Sequence, residues 1–264
     1  MNTPSSSEPH QLPTAEVDGI TFHAVTESQC LSHILGSLDR GQGGWVITPN
    51  LDHLFRARRD AAFREMISQA DVVVADGMPL IWASKLQGTP LPQRVAGSTM
   101  TVLLSREAAA HGRSIFLLGG EPGAAELAAE NLKQQFPATR IAGIACPDFG
   151  FEKDPRRMQE ITRQLVAASP DIVFVALGSP KQEYLIRDLR EQLPATWWLG
   201  IGISLSFISG HVKRAPKWMQ ACGIEWVHRL LQEPRRLAKR YLVDGIPYAV
   251  RLLGCSMLKR FSGK

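Results

Sequence analysis

The stretch Ala70-Asp71-Val72-Val73-Val74-Ala75-Asp76-Gly77-Met78-Pro79-Leu80 decides the fold. Its unbroken apolar, β-branched run reads as a strand buried on both faces, the mark of a parallel sheet. An acidic residue ends the run, a glycine turns the chain, and Met78-Pro79 opens a helical pattern. In open α/β sheets ligands bind just past the carboxyl ends of the strands. Asp76 is therefore the first candidate for a chemical role. The same residue also suits plain helix capping, since Asp is a favoured N-cap and Pro a favoured early helical residue.

Working outward, Trp45-Val46-Ile47-Thr48 is a strand ending in Pro49-Asn50. Leu51, Leu54, Phe55, Ala62, Phe63, Met66 and Ile67 follow at helical spacing, with Arg56, Arg59, Asp60 and Arg64 on the other face. A single helix over 51–67 then leads into strand 71–75, a right-handed crossover unit. Further strands are expected at 114–118, 140–145, 171–177 and 196–199. Helices are expected at 26–38, 79–86, 99–111, after Gly123, at 154–168 and after Gln182. Val17–Phe22 reads as a short strand or hairpin. This alternation predicts an α/β, Rossmann-like, doubly wound, mostly parallel sheet over residues 17–210. Residues 1–16, rich in Ser and Pro, read as a disordered leader without the basic start and apolar centre of a signal peptide.

After Gly210 only helical patterns remain, at 215–221, 224–232 and 235–243, with Gly245 and Pro247 breaking the last before an amphipathic end at 248–261. Residues 211–264 thus read as a helical C-terminal appendage. They carry twelve Lys/Arg against three Asp/Glu, whereas the remainder carries eighteen against twenty-two. A basic tail on a mildly acidic body, with Trp218, Trp226 and Tyr241 among the charges, fits an anionic and apolar partner such as a membrane surface. No apolar run reaches the roughly 20 residues of a bilayer span. Cys30, Cys146, Cys222 and Cys255 stand far apart with no CxxC pair, which suits a reducing cytoplasm and offers no zinc site.

Three strand ends carry candidate anion-binding loops. Gly119-Gly120-Glu121-Pro122-Gly123 opens a helix whose amides suit a phosphate. It is not GxGxxG, and the next strand does not end in an acid, which disfavours a nicotinamide dinucleotide and an oxidoreductase. Gly178-Ser179-Pro180-Lys181-Gln182-Glu183 gathers a hydroxyl, an ammonium and an amide at a strand terminus. Gly200-x-Gly202 is the third. Thr48 and Asn50 add small polar groups beside Asp76, though Asn50 also suits a helix cap, and His53 reads as exposed or packed. No D-x-D and no His/Cys cluster suggests a divalent ion, so a leaving diphosphate would be met by Arg and Lys.

Seven motifs then occur in order. They are Thr48-Pro49-Asn50, Ala75-Asp76-Gly77-Met78-Pro79, Arg94-Val95-x-Gly97, Gly119-Gly120, Gly178-x-Pro180-x-Gln182-Glu183, Arg214-Ala215-Pro216-x-Trp218, and Glu225-Trp226-x-x-Arg229-Leu230-x-x-Glu233-Pro234-x-Arg236. Over residues 17–243 the chain resembles the WecG/TagA/CpsF glycosyltransferases of bacterial surface polysaccharide and teichoic acid synthesis. The resemblance implies a GT-E fold and inverting, metal-independent transfer from a UDP-sugar to a polyprenyl-diphosphate-linked sugar. It places the protein peripherally on the cytoplasmic face of the inner membrane, without a cofactor and with homo-oligomers open. It implies Asp76 as general base and Thr48, Asn50, Arg94 and Gln182 as pocket residues. Arg229, Arg236 and Lys239 (Arg240 adjacent) match the appendage positions that meet the diphosphate. The loop residues Gly119, Gly120, Gly178, Lys181 and Gln182 remain the nucleotide-binding candidates. This chain departs from the family pattern at Thr99, where Asp is usual, and at Leu205-Ser206, where Phe-Asp is usual. Those departures open a UDP-hexose such as UDP-glucose beside an N-acetylmannosamine-type donor. Two rivals remain: a catalytically silent, membrane-docked nucleotide-binding protein, and a nucleic-acid-binding module using the basic tail.

Overall fold

The computed structural model describes residues 12–262. An Asp18-Gly19 turn, with positive φ at both residues, joins β1 (Thr14–Val17) to β2 (Ile20–His23) in an antiparallel hairpin. Asp-Gly is the pair that such a two-residue turn favours. Thr14–Glu16, assigned to the leader from sequence, are strand; residues 1–11 of that leader lie outside the described residues.

The chain continues as α1 (Glu27–Asp39), β3 (Gly44–Ile47), α2 (Leu51–Arg59), α3 (Ala61–Ser68), β4 (Val72–Val73), α4 (Met78–Gln87), α5 (Gly97–Ala110), β5 (Ser114–Gly119), α6 (Ala124–Gln135), β6 (Arg140–Ala145), α7 (Pro155–Ala168), β7 (Ile172–Ala176), α8 (Lys181–Leu189), β8 (Trp197–Gly200) and α9 (Ser204–Ser209). The single helix expected over 51–67 is two. Asp60 stops α2, and its side-chain Oδ1 accepts from the Phe63 amide at 3.0 Å to start α3. A capping residue on the polar face leaves the apolar period undisturbed, so periodicity could not show the break.

Six strands form one parallel sheet in the order β4-β3-β8-β7-β5-β6. Strand side chains alternate between two cores, as a period of two requires. Trp45, Ile47, Val73, Val173, Val175 and Trp198 face the layer containing α2, α3, α4, α7 and α8. Val46, Val72, Val74, Ile172, Phe174 and Leu199 face α1, α5, α6 and α9. The doubly wound expectation holds.

Beyond Gly210 come α10 (Lys217–Ala221), α11 (Glu225–Gln232) and α12 (Pro234–Ala238). A π-helical segment, Lys239–Gly245, then runs without interruption into α13 (Ile246–Ser262). Gly245 and Pro247 therefore do not break the helix. Pro247 lacks an N–H and its ring crowds the carbonyl four residues back; the widened turns before it take up that mismatch. α13 packs against α4, and its Tyr248 and Leu252 are buried in the same core as α2 and α4. The Tyr248 hydroxyl donates to Asp18 Oδ2, and Lys259 Nζ lies 3.2 Å from Glu16 Oε1, tying this helix to the hairpin. The end of the tail is thus anchored in the core of the sheet domain.

Candidate active site

Neighbouring strands β3 and β8 send the chain to opposite faces of the sheet, to α2 and α9 respectively. Such a divergence opens a crevice at the carboxyl edge. The loops after β3, β4 and β8 converge there. The Asp76 amide donates to Pro49 O at 2.9 Å, and the Val95 amide to Ala75 O at 2.9 Å. A methyl placed on Gly97 would stand 3.1 Å from Thr48 Oγ1 and 3.8 Å from Gly200 O, so these three residues share one wall.

Asp76 lies three residues past the edge strand β4, half-buried, and its Oδ2 accepts from the Gly97 amide at 3.3 Å. It does not cap α4, whose start has no side-chain cap bond. Burial pushes its carboxyl pKa upward, Glu225 pushes the same way, and Arg94, the Gly97 amide and Arg214 oppose; the net shift is up. A carboxylate tuned upward is a better proton acceptor near neutral pH. Above it the tail contributes a bridge. Glu225 lies 3.4 Å from Arg94 Nη1 and 3.1 Å from Arg214 Nε, and Arg214 Nη2 donates to Thr99 Oγ1 at 3.0 Å.

A second network underlies the crevice. Asn50 caps α2, its Oδ1 accepting from the Asp52 and His53 amides at 3.0 and 3.3 Å. His53 is buried, with Nε2 3.4 Å from Glu183 Oε1. That carboxylate oxygen also accepts from Gln182 Nε2 at 2.8 Å, while Gln182 Oε1 accepts from the Gly202 amide at 3.0 Å. Burial opposes ionisation of Glu183, but the His53 hydrogen bond and charge and the Gln182 amide outweigh it and hold the pKa below the usual glutamate value. The chain Asn50–His53–Glu183–Gln182–Gly202 joins the ends of β3, β7 and β8.

Residues 15–262 match the glycosyl transferase WecG/TagA/CpsF family. The chain belongs to that family. Among its relatives is the N-acetylglucosaminyldiphosphoundecaprenol N-acetyl-beta-D-mannosaminyltransferase of Bacillus spizizenii, 35% identical over 226 residues, which cover 85% of this chain and 86% of the relative. The WecG/TagA/CpsF resemblance read from the seven motifs is thereby established.

Within this WecG/TagA/CpsF glycosyltransferase the expected site residues divide. Asp76, Thr48 and Arg94 come together at one wall, and Asn50 and Gln182 are linked through the buried network. Arg229 stands one turn after Glu225 on α11, and its Nε is buried without a hydrogen-bond partner. Arg236 pairs with Glu233 at 2.6 Å. With Lys239 and Arg240 it faces Arg56 and Arg59 of α2 across a cleft of about 510 Å³ whose wall includes Ser179. Lys181 turns away, pairing with Glu152 and lying 3.8 Å over the Phe149 ring. Gly119 and Gly120 lie four strands from β4, about 19 Å at 4.8 Å per strand. Both have positive φ, and the Gly120 amide donates to Ala176 O at 2.9 Å, so that amide is engaged within the sheet edge rather than presented to a phosphate.

In the sequence Arg214, Glu225 and Glu183 stand out only as members of longer motifs. Arg214 meets Thr99 115 positions away, Glu183 meets His53 130 away and Glu225 meets Arg94 131 away, separations that no local spacing encodes. The available signal was that Glu225 is one of only three acids among twelve Lys/Arg in residues 211–264.

Proposed function

We propose that the protein transfers a sugar from a UDP-sugar to a polyprenyl-diphosphate-linked sugar, with inversion at the anomeric carbon. The observation that carries the reading is Asp76: a half-buried carboxylate just past the carboxyl edge of the sheet, fixed by a backbone amide, with a raised pKa and two guanidiniums nearby. Asp76 takes the proton of the acceptor hydroxyl as its oxygen attacks the anomeric carbon. The bond from that carbon to the diphosphate breaks, and UDP departs with the bonding pair. Arg94, Arg214 and Arg229 offset the charge that develops on the leaving group. Thr48 and Asn50 line the pocket, and Gln182 shapes it from beneath.

Among the described residues no three His, Cys, Asp or Glu groups stand close enough to hold a metal ion, and the arginine set is what supports transfer without one. The lipid-linked acceptor is supported by the name of the Bacillus relative, whose acceptor is an N-acetylglucosaminyl-diphosphoundecaprenol. Membrane docking at the cytoplasmic face is supported by the tail, which exposes Trp218, Leu231, Val250 and Phe261 among its cations. Among the described residues no helix is long and apolar enough to cross a membrane, so docking would be peripheral.

Thr99 and Ser206 govern the choice of donor in this proposal. Thr99 accepts from Arg214, and Ser206 is buried in α9. A neutral hydroxyl at position 99 leaves Arg214 more of its charge for a diphosphate. The test offers purified protein a panel of UDP-sugars, including UDP-glucose and UDP-N-acetylmannosamine, with a short-chain prenyl-diphosphate sugar, with and without EDTA. Transfer from at least one donor, unaffected by EDTA, is expected. No transfer from any member of the panel contradicts the proposal.

A further inference from the structure

We propose that Glu225 is a positioning residue for the transfer reaction, clamping the tail onto Arg94 and Arg214 so that both guanidiniums and the general base are set in one geometry. The inference rests on the reading of Asp76 as base.

Glu225 opens α11, and its two carboxylate oxygens divide between two elements. Oε2 lies 3.4 Å from Arg94 Nη1 on the loop before α5; Oε1 lies 3.1 Å from Arg214 Nε on the loop before α10. All three side chains keep about a fifth of their surface or less exposed, so this pair is screened far less than a surface bridge. Arg214 is fixed a second time by Thr99 Oγ1, on α5. The clamp therefore joins the tail to the segment that carries the Gly97 amide, which in turn binds Asp76. Met78 at the start of α4 lies against Gly223, two residues before Glu225, so the contact continues over the helix that follows Asp76.

The charged groups facing Asp76 are Arg94, Arg214, Glu225 of α11 and Glu27 of α1. Glu27 feels the same two guanidiniums and Asp76 itself. Three carboxylates thus share two guanidiniums. Taking away the charge of Glu225 leaves more positive field on Asp76 and makes it a weaker base. Taking away Arg214 does the reverse. A residue that merely fastened the tail would move neither.

The test measures kcat/KM against pH for the full chain, using the donor found active and a soluble prenyl-diphosphate sugar. Wild type, Glu225→Gln, Arg214→Gln and Asp76→Asn are compared, with thermal melts of each. The acid limb of Glu225→Gln is expected to move to lower pH by roughly half a unit or more. That of Arg214→Gln is expected to move to higher pH, and both should lose several-fold in kcat/KM at neutral pH. The opposite directions keep the proposal testable if one variant fails to fold. A Glu225→Gln limb that stays in place, with or without a lower melting temperature, overturns the proposal; so does an Arg214→Gln limb that moves down. If instead Asp76→Asn keeps wild-type turnover, the reading of Asp76 fails first, and that outcome is distinguishable from failure of the clamp.

Discussion

Replacing Glu183 by Gln tests whether the buried network holds the crevice in shape. Glu183 is 1% exposed, and its Oε1 accepts from both His53 and Gln182. Glutamine keeps the volume and one acceptor oxygen for Gln182, but loses the charge facing His53. A hydrogen bond to a buried charged group contributes about 1.5–3 kcal/mol net. At roughly 2–4 °C per kcal/mol for a chain of this size, the midpoint should drop by about 3–12 °C at pH 7. Leucine, which strands both donors, should cost about 3–5 kcal/mol. The pH dependence has a definite sign. Because the folded pKa of Glu183 lies below its ordinary value of 4.5, the associated stability is present above pH 4.5 and lost as pH falls through the lower folded value. The gap between wild type and Glu183→Gln should therefore be widest near neutral pH and narrow in acid. Function should follow, because Gln182 bonds this carboxylate directly and Asn50 reaches it through His53: kcat/KM is expected to fall about tenfold or more through misplacement of the pocket. Thermal melts at pH 7 and pH 4 with steady-state kinetics read both effects. A variant that melts like wild type at pH 7 and keeps its kcat/KM refutes the reasoning.

Other expectations follow from the same geometry. Tyr248→Phe removes the hydroxyl that donates to Asp18 and should cost about 1.5–3 kcal/mol in urea titrations while leaving turnover per folded molecule unchanged. Gly200→Ala puts a methyl 2.7 Å from Gln182 Nε2, so Gln182 must shift; kcat/KM should fall more than the melting temperature suggests. Arg229→Ala and Arg236→Ala should lower turnover with little change in the melting midpoint, and unchanged rates would detach the tail cations from catalysis.

The parallel sheet was legible because strands buried on both faces leave unbroken apolar runs such as Val72–Val74, and helices facing one core leave a 3.6 period. Asp76 was legible because its position follows from where a strand must end. Other features escaped for physical reasons. The break at Asp60 lies on a polar face and disturbs no apolar period. Gly245 and Pro247 carry strong stop signals that the π-helical turns absorb. The burial of Tyr248 and Leu252 against α4 could not be read from an amphipathic helix whose exposed side carries Val250, Met257 and Phe261. Lys181 looked like a phosphate ligand at a strand end, but Glu152 and Phe149 hold it from a loop that sequence leaves unplaced. The Glu225 bridge spans 131 positions to Arg94, and only the folded chain brings them together.

The most direct test of the central claim is the turnover of purified Asp76→Asn, with donor and soluble lipid-linked acceptor at neutral pH, beside a melting curve showing that it is folded. Loss of the proton acceptor predicts a rate lower by about 10²–10⁴-fold with little change in substrate affinity. Turnover within a few-fold of wild type would contradict the account.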